Sequence, residues 1–456
     1  MQMPVKEPSP QMLQFNELVQ NFKKLFNESQ NEEEVNTSLN QVINAILEMK
    51  NVDDDFVVSS EIIQFILMAS SNTSEIIRSN LHKLLYYVVA RSIAANSIFL
   101  HNDPADFILA LINSPIQTDV KVGFLLIRDL AKSSKEGVQY LLSRNFLDLC
   151  LNYAYHILET STSDPQNLFA ILHYILLSIP TFYEIDSYSN YVVAITDLSA
   201  KIIQINISFS VIEIVLRILI ILAQKKHYTL VISSNCFSLA MSLFNSPEAF
   251  DSLQNYLVLL ASAMLYSSGK DEVGDVLSMI PINILVNLFD NFDPSKLKLF
   301  YLLTFFVNYV SLGEQNVAVL STPERLDKLF SYLENPIEQS FKIQQSVIWC
   351  LWNMLRFGSL ESIFAILNHQ SIDSLVDITF DSDDMDFIKK ILIPSLLDFI
   401  PKVEKEMPEM PEIITNTIQE RLVDLCYRED SPEIESLAAS CLKRVFPERY
   451  ETEGFC

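Results

Sequence analysis

Two side chains with binding chemistry, Trp349 and Asn353, stand four residues apart in the sequence. A separation of four places them on one face of a helix. The face of an indole ring attracts cations, and an asparagine amide both donates and accepts hydrogen bonds, so it can satisfy the C=O and N–H groups of an extended chain. Trp352 lies only three residues after Trp349, so the two rings cannot both point straight at one surface. We expect at least one of them to pack in the core.

Three amphipathic segments must position these side chains. A long one, from about Gln339 to Phe357, is followed by two short ones, Leu360 to Leu367 and Ile372 to Phe380. Gly358-Ser359 and the surroundings of His369 interrupt the pattern. The spacing predicts a unit of three helices.

Long apolar segments of helical period recur along the whole chain at separations of 42 to 48 residues. Their centres lie at Leu81, Phe124, Leu172, Val215, Leu257, Phe300, Val347, Ile391 and Leu437. The short segments between them are too apolar to stand in water alone, so neighbouring repeats must bury them. A unit of about 40 to 47 residues is typical of armadillo and HEAT repeats. We therefore predict an all-α fold, a right-handed superhelical solenoid of armadillo- or HEAT-like repeats.

The predicted organisation is one continuous array with short ends. Residues 1–30 are predicted to form a polar tail and a first helix, and residues 31–446 a single solenoid of about 8 to 9 degenerate repeats. A closing helix is expected near 431–446, with a C-terminal tail over 447–456. Proline fits the first turn of a helix, so Pro165, Pro247, Pro294, Pro336 and Pro432 are expected at helix starts. The proline-rich stretch 401–412 is interpreted as a loop inside the last full repeat.

The segment from Ser340 to Ile378 resembles an armadillo repeat of the importin-alpha type, in which a long third helix carries W-x-x-x-N on the concave face. Here the motif is Trp349-Cys-Leu-Trp-Asn353. The preceding unit looks similar, with Asn308 at the asparagine position and Thr304 where tryptophan would stand. The resemblance implies that the asparagines hydrogen-bond the backbone of an extended peptide and that the tryptophans receive the aliphatic stems of lysine and arginine. These four residues form the expected peptide-binding set.

The sequence departs from the importin-alpha pattern in two respects. Only one repeat carries the complete pair of tryptophan and asparagine. The Lys/Arg-rich N-terminal segment by which importin-alpha proteins bind importin beta has no counterpart, because the first 60 residues contain only Lys6, Lys23, Lys24 and Lys50 as basic residues. Importin beta is therefore not expected as a partner.

The acidic balance of the chain favours some partners and disfavours others. With 57 acidic and 32 basic residues, the formal net charge is −25. General binding to nucleic acid or to anionic lipid is not expected from such a chain, whereas a basic protein partner is easily accommodated. The alternative interpretation is that the charge only keeps a long apolar array in solution.

No pattern of catalytic or metal-binding residues stands out. The six histidines show no metal-ligand spacing, the six cysteines form no C-x-x-C pair, and no phosphate loop, dinucleotide fingerprint or nucleophile elbow is present. We predict no enzyme, no cofactor and no metal. The longest apolar runs are too short to span a bilayer and the first residues do not resemble a signal peptide, so we expect a soluble protein of the cytoplasm or nucleus without membrane contact.

The function predicted from the sequence is a non-enzymatic protein-binding solenoid. In its most specific form it is a divergent importin-alpha-like adaptor that binds extended basic segments, similar to nuclear localisation signals, on its concave face. The alternative is a general interaction scaffold, or a regulatory subunit of a larger complex, that recognises a folded partner. An acidic surface presenting Trp349, Asn353 and Asn308 in a row would favour the adaptor.

Overall fold

The computed structural model describes residues 9–71, 73–160, 188–205, 208–269, 271–294, 298–334, 341–382, 384–406, 411–427 and 431–453. Within these ranges the chain forms helices and no strand, which confirms the predicted all-α fold. The predicted long helix around Leu172 and the predicted helix starts at Pro165 and Pro336 lie outside the described residues.

By its internal contacts the chain divides into two compact units, Met1–Ile221 and Leu222–Cys456, and the division falls within a helix. The helices of the first unit are α1 (Pro10–Glu28), α2 (Glu32–Glu48), α3 (Asp54–Ser60), α4 (Ile62–Ser70), α5 (Glu75–Arg91), α6 (Ile93–His101), α7 (Ala105–Ile112), α8 (Gln117–Ser133), α9 (Lys135–Ser143), α10 (Phe146–Thr160), α11 (Tyr188–Ile205) and α12 (Phe209–Gln224).

Long helices stack in succession in the first unit: α1 packs on α2, α2 on α5, and α5 on α8. Between α5 and α8, and again after α8, come two further helices, as predicted for a three-helix repeat. The buried side chains of α5 include Leu81, Leu84, Leu85 and Val88, whose spacing of three and four forms one apolar stripe. Burial of this stripe against the neighbouring helices stabilises the packing of α5 between α2 and α8.

The second unit repeats the same order of one long and two short helices. Its helices are α13 (Tyr228–Ser233), α14 (Cys236–Ser242), α15 (Pro247–Ser267), α16 (Val273–Met279), α17 (Ile282–Asp290), α18 (Leu299–Val310), α19 (Glu314–Leu320), α20 (Pro323–Glu334), α21 (Phe341–Phe357), α22 (Leu360–Leu367), α23 (Ile372–Phe380), α24 (Met385–Phe387), α25 (Ile393–Glu406), α26 (Gln419–Cys426), α27 (Pro432–Val445) and α28 (Pro447–Thr452). The long members pack in sequence, α15 on α18, α18 on α21, α21 on α25 and α25 on α27. The bounds predicted for α22 and α23 are confirmed at both ends.

The prediction of a loop over residues 401–412 is wrong for the first half of that stretch. Helix α25 continues through Pro401 to Glu406, although proline cannot donate the backbone hydrogen bond of a helix interior. Phe399, Ile400 and Val403 are completely buried on its inner face. Burying one such side chain contributes about 1.5–3 kcal/mol, so together they outweigh a proline penalty of about 3 kcal/mol.

One predicted helix start and the predicted C-terminal tail also differ from the structure. Pro294 lies in a turn, and the described part of α18 starts at Leu299. The backbone N–H of Lys298, just before this helix, donates to Asn255 Oδ1 at 3.0 Å. At the other end of the chain, the six-residue helix α28 occupies part of the stretch predicted as a tail. The contact of Lys298 with Asn255 joins residues that are far apart in the sequence. Helix α28 has only six residues, too few for an apolar periodicity to reveal it. The predicted repeat array of residues 31–446 stays a prediction.

The first unit contains a buried pair of titratable groups between α5 and α8. His82 Nδ1 lies 3.0 Å from Asp119 Oδ1, and the two residues are 5% and 2% exposed. Burial lowers the pKa of His82, while the carboxylate of Asp119 opposes this effect and the nearby Arg78 adds to it. The imidazole is therefore neutral in the folded protein at pH 7.

We expect His82 to make the stability of the fold sensitive to mild acid. Its folded pKa is lowered, so the unfolded chain binds the proton more readily than the folded chain. The contribution is fully present above the ordinary imidazole pKa of about 6.5 and is lost as the pH falls from there towards the folded pKa. Urea unfolding between about pH 7.5 and pH 5 should therefore show a smaller loss of stability in His82→Gln than in the wild type. Parallel curves for the two proteins would contradict this.

Candidate functional site

Helix α21 directs its two tryptophans to different environments. Trp352 is completely buried and its Nε1 donates to Thr379 Oγ1 of α23 at 2.9 Å. Trp349 is half-buried, and its ring lies beside Phe387 of α24, with 6.2 Å between ring centroids and 27° between ring planes. Trp352 is thus a core residue, and Trp349 is the tryptophan that faces an accessible space.

That space is a cavity of about 410 Å³ within the second unit. We call it the Trp349 cavity, and its walls come from α21, from the end of α23 and from α24. Three of its side chains are aromatic, two are acidic and the others are aliphatic, amide or hydroxyl groups: Phe341, Gln344, Gln345, Ile348, Trp349, Ile378, Thr379, Asp381, Ser382, Asp384 and Phe387. Aromatic walls beside carboxylates suit a ligand that is apolar along its length and positive at its end.

Asp384 is a fixed carboxylate in this wall. Its Oδ1 accepts the backbone N–H of Phe387 at 3.1 Å and so caps α24, while its Oδ2 accepts from Gln345 Nε2 at 2.6 Å. Both donors are neutral, so the negative charge of the side chain is not cancelled by a cation of the wall. Asp384 is held in place and keeps its charge available to a ligand.

Among the residues that the structure describes, the indole N–H of Trp349 finds no hydrogen-bond partner. Nε1 is buried, and no acceptor lies within reach of it. A buried donor without an acceptor costs about 1–3 kcal/mol. Because Nε1 is buried, a ligand in the cavity would meet the ring of Trp349 and not its N–H group.

The structure places the other predicted site residues away from the Trp349 cavity. Asn353 is 4% exposed and its Nδ2 donates to the carbonyl oxygen of Val307 in α18 at 3.2 Å. Asn308 makes the equivalent bonds one repeat earlier, to the carbonyl oxygen of Ser262 at 3.3 Å and to its Oγ at 3.0 Å. In both cases an amide of one long helix bonds a residue 46 positions earlier in the previous long helix.

Thr304 is half-buried and donates from Oγ1 to the carbonyl oxygen of Phe300 at 2.7 Å, within α18. None of Thr304, Asn308 and Asn353 lines the Trp349 cavity. Their contact with a peptide stays a prediction, whereas their contacts within the fold are visible.

Sequence reasoning missed the partners of Trp349. Phe387 and Asp384 belong to the next repeat, and Phe341 stands at the start of α21, eight residues before Trp349 and 75% exposed. The acidic run that contains Asp381 and Asp384 stands at a helix start, where carboxylates ordinarily cap the helix or face solvent. Asp384 does cap α24, and it also lines the cavity. The available signal was the position of this run one repeat-length after the start of α21.

The described residues show no metal-binding group of side chains. Among them, no group of three or more His, Cys, Asp or Glu side chains could hold a metal ion. Cys350, close to Trp349 in sequence, is completely buried, and burial raises the pKa of its thiol to about 12. It is therefore protonated and unreactive at neutral pH.

Membrane-spanning capacity is marginal in the part of the chain that the structure covers. No single helix there is both long and apolar enough to cross a bilayer. Two bent pairs satisfy the criteria of length and composition, Glu75–Arg91 with Ile93–His101 and Val273–Met279 with Ile282–Asp290.

The structure of the chain is similar to several solved structures. An engineered protein from a structural genomics consortium matches with a TM-score of 0.67 and 14% identity, over 94% of this chain and 98% of that one. A chain from work on a conserved phosphorylation switch that controls the interaction between cadherin and β-catenin matches with a TM-score of 0.62 and 9% identity, over 94% and 86%. Computationally designed armadillo repeat proteins for modular peptide recognition match over 55% of this chain, with a TM-score of 0.41 and 13% identity.

No family model matches the sequence, and comparison with curated proteins finds no match. The likeness to the first two structures, together with the all-helical content of the described residues, identifies the fold as an all-α solenoid. The fold predicted from the repeat period is thereby confirmed. At 9–14% sequence identity, these comparisons support a similar fold and say nothing about a shared function.

Proposed function

We propose that this protein is a non-enzymatic binding protein of armadillo type that takes up an extended basic segment of a partner protein. The stem of one lysine or arginine side chain enters the Trp349 cavity. The observation that carries the proposal is the composition of this cavity, in which Phe341, Trp349 and Phe387 stand beside the carboxylates of Asp381 and Asp384.

The chemistry of a basic side chain matches this cavity in two parts. The methylene stem of lysine or arginine is apolar and can be buried against aromatic rings, while the charged head stays near water and acidic groups. An indole attracts the same cation through its π-system, which contributes about 0.5–2 kcal/mol depending on exposure. The net charge of −25 also speeds the approach of a basic partner at low ionic strength.

The finer form of the proposal follows the resemblance of α21 to importin-alpha repeats. In this form the protein is a divergent importin-alpha-like adaptor, the partner segment is similar to a nuclear localisation signal, and the protein works in the cytoplasm, the nucleus or both. The interaction between cadherin and β-catenin supports only the general proposal of a protein-binding solenoid, because it concerns a protein of similar fold that binds another protein. Importin beta is not part of the proposal.

The proposal predicts that Trp349→Ala weakens binding of a short lysine-rich peptide by about tenfold, because the cation loses its aromatic wall. Fluorescence anisotropy with a labelled peptide at low and at physiological salt measures this. Affinity of the wild type should fall as salt is added. Asp384→Asn can keep the capping oxygen but removes the charge and the oxygen that accepts from Gln345. It should weaken binding and flatten the salt dependence.

A matched control is available in the same unit. Tyr266 of α15 is 78% exposed and lies outside the Trp349 cavity, so Tyr266→Ala removes an aromatic ring without touching the site and should leave the affinity unchanged. Circular dichroism of each variant checks that the helices persist. If the wild type shows no salt-sensitive affinity for the peptide, the adaptor is ruled out and the alternative, a scaffold for a folded partner, is favoured.

A further inference from the structure

One carboxylate of the Trp349 cavity is already paired with a cation of the chain itself. Arg421 of α26 donates through Nη2 to Oδ1 of Asp377 on α23, and its Nη1 lies 3.4 Å from Oδ1 of Asp381, which follows α23 directly. Asp381 lines the cavity and Asp377 does not. Arg421 thus contacts one carboxylate that lines the cavity, Asp381, and is held by another that does not, Asp377.

We propose that Arg421 competes with the cationic side chain of the partner for Asp381 and thereby lowers the affinity of the Trp349 cavity for basic segments. This inference rests on the proposed function, since it concerns the same cavity and the same class of ligand. It adds a residue that sets affinity from within the chain and that no pattern in the sequence indicates.

The geometry allows Arg421 to lose its contact with Asp381 while it keeps its contact with Asp377. The Asp377 contact is made through Nη2 and the Asp381 contact through Nη1. The Asp381 contact is the longer of the two, and the side chain of Asp381 is 69% exposed against 54% for Asp377. Exposed ion pairs of this kind are weak. A small rotation of the guanidinium would therefore release Asp381 to an incoming cation while Asp377 still holds Arg421.

The two carboxylates of the cavity differ in a way that makes Asp381 the regulated one. Within the described part of the chain, the side chain of Asp384 accepts from two neutral donors, Gln345 and the backbone N–H of Phe387. Asp381 has a full positive charge beside it. Asp377, Asp381 and Asp424 all stabilise the charged form of Arg421, and the hydrogen bond to Asp377 contributes most to the raised pKa of its guanidinium. Arg421 therefore remains a permanent competitor at every physiological pH.

The test is to remove the competitor and to compare it with an arginine of the same kind elsewhere. Arg421→Gln should tighten binding of the lysine-rich peptide by about two- to fivefold, the range expected when an exposed ion pair no longer has to be displaced. Arg356→Gln is the control. Arg356 pairs with Asp398 at 2.6 Å in the same unit, is comparably exposed at 27%, and has no contact with the cavity. It makes the same change in net charge, so a general effect of charge would appear equally in both variants.

A double variant locates the effect at Asp381. Adding Asp381→Asn to Arg421→Gln should remove the gain, because the released carboxylate no longer carries a charge. Thermal unfolding of all four proteins checks that the fold is retained.

The outcomes separate this inference from the proposed function. Wild-type binding together with tighter binding by Arg421→Gln alone supports both. Binding by Arg421→Gln with none by the wild type supports the role of Arg421 and overturns the proposed function for the wild-type protein. Wild-type binding that Arg421→Gln leaves unchanged or weakens, or that Arg356→Gln tightens equally, overturns the role of Arg421 and leaves the proposed function standing. Absence of binding by every protein overturns both.

Discussion

Replacing Trp352 with alanine should lower the free energy of unfolding by about 3–5 kcal/mol, as large-to-small replacements of buried aromatic side chains do. The side chain is 0% exposed and lies 6.3 Å, between ring centroids, from both Phe380 and Phe399. Its removal opens a void where α21, α23 and α25 meet. The hydroxyl of Thr379, which is 1% exposed, also loses its indole donor.

The neighbouring tryptophan supplies the control for this experiment. Trp349→Ala removes the same ring from the same helix, but Trp349 is half-buried and its Nε1 has no partner to lose. It should cost clearly less stability than Trp352→Ala when urea unfolding of both is followed by circular dichroism. Equal losses would mean that the two rings share one role. The pair of variants thus separates a residue of the core from a residue of the cavity by stability alone.

Replacing Gly137 with alanine should destabilise the first unit by about 1–3 kcal/mol, because the added methyl group collides with backbone. A Cβ atom at Gly137 would lie 2.2 Å from the carbonyl oxygen of Leu130 and 3.0 Å from its carbonyl carbon. Leu130 belongs to α8 and Gly137 to the first turn of α9, so the two helices would have to separate. No flexible side chain is available to move instead.

Gly274 offers the opposite case. It lies within α16, and a Cβ atom there would meet nothing within 4 Å. Alanine should therefore stabilise the protein by about 0.5–1 kcal/mol through the lower entropy of the unfolded chain. Differential scanning calorimetry of both variants checks the opposite signs. A neutral Gly137→Ala would show that α9 is free to shift away from α8.

The repeat architecture was predictable because its signals are local. The apolar spacing of α22 and α23 and the breaks at Gly358-Ser359 and near His369 are all visible within a few residues of sequence. The helix start at Pro432 follows from the fixed φ of proline in the same way. Such features depend on the chain next to them, so a single sequence suffices.

The candidate site was predictable only in part because its walls are not local. Trp349 could be identified from residue type and spacing. Its ring neighbour Phe387 and the carboxylate of Asp384 are 38 and 35 residues further along, and only the packing of one repeat on the next brings them together. The bond from Asn353 to Val307 has the same character, since nothing near Asn353 in the sequence indicates where its amide will find an acceptor.

The amide bonds of Asn308 and Asn353 also restrict how the long helices can slide past one another. A slip of α21 along α18 by one helical turn would move Asn353 Nδ2 by about 5.4 Å, far beyond hydrogen-bonding range of Val307. Asn353 is 4% exposed, so water could not easily replace the lost acceptor. Asn308, which is half-buried, restricts α18 on α15 through its bonds to Ser262. Two side chains thus fix the register of three consecutive long helices, α15, α18 and α21. Apolar packing alone would allow several positions of one helix along the next, and these hydrogen bonds select one of them.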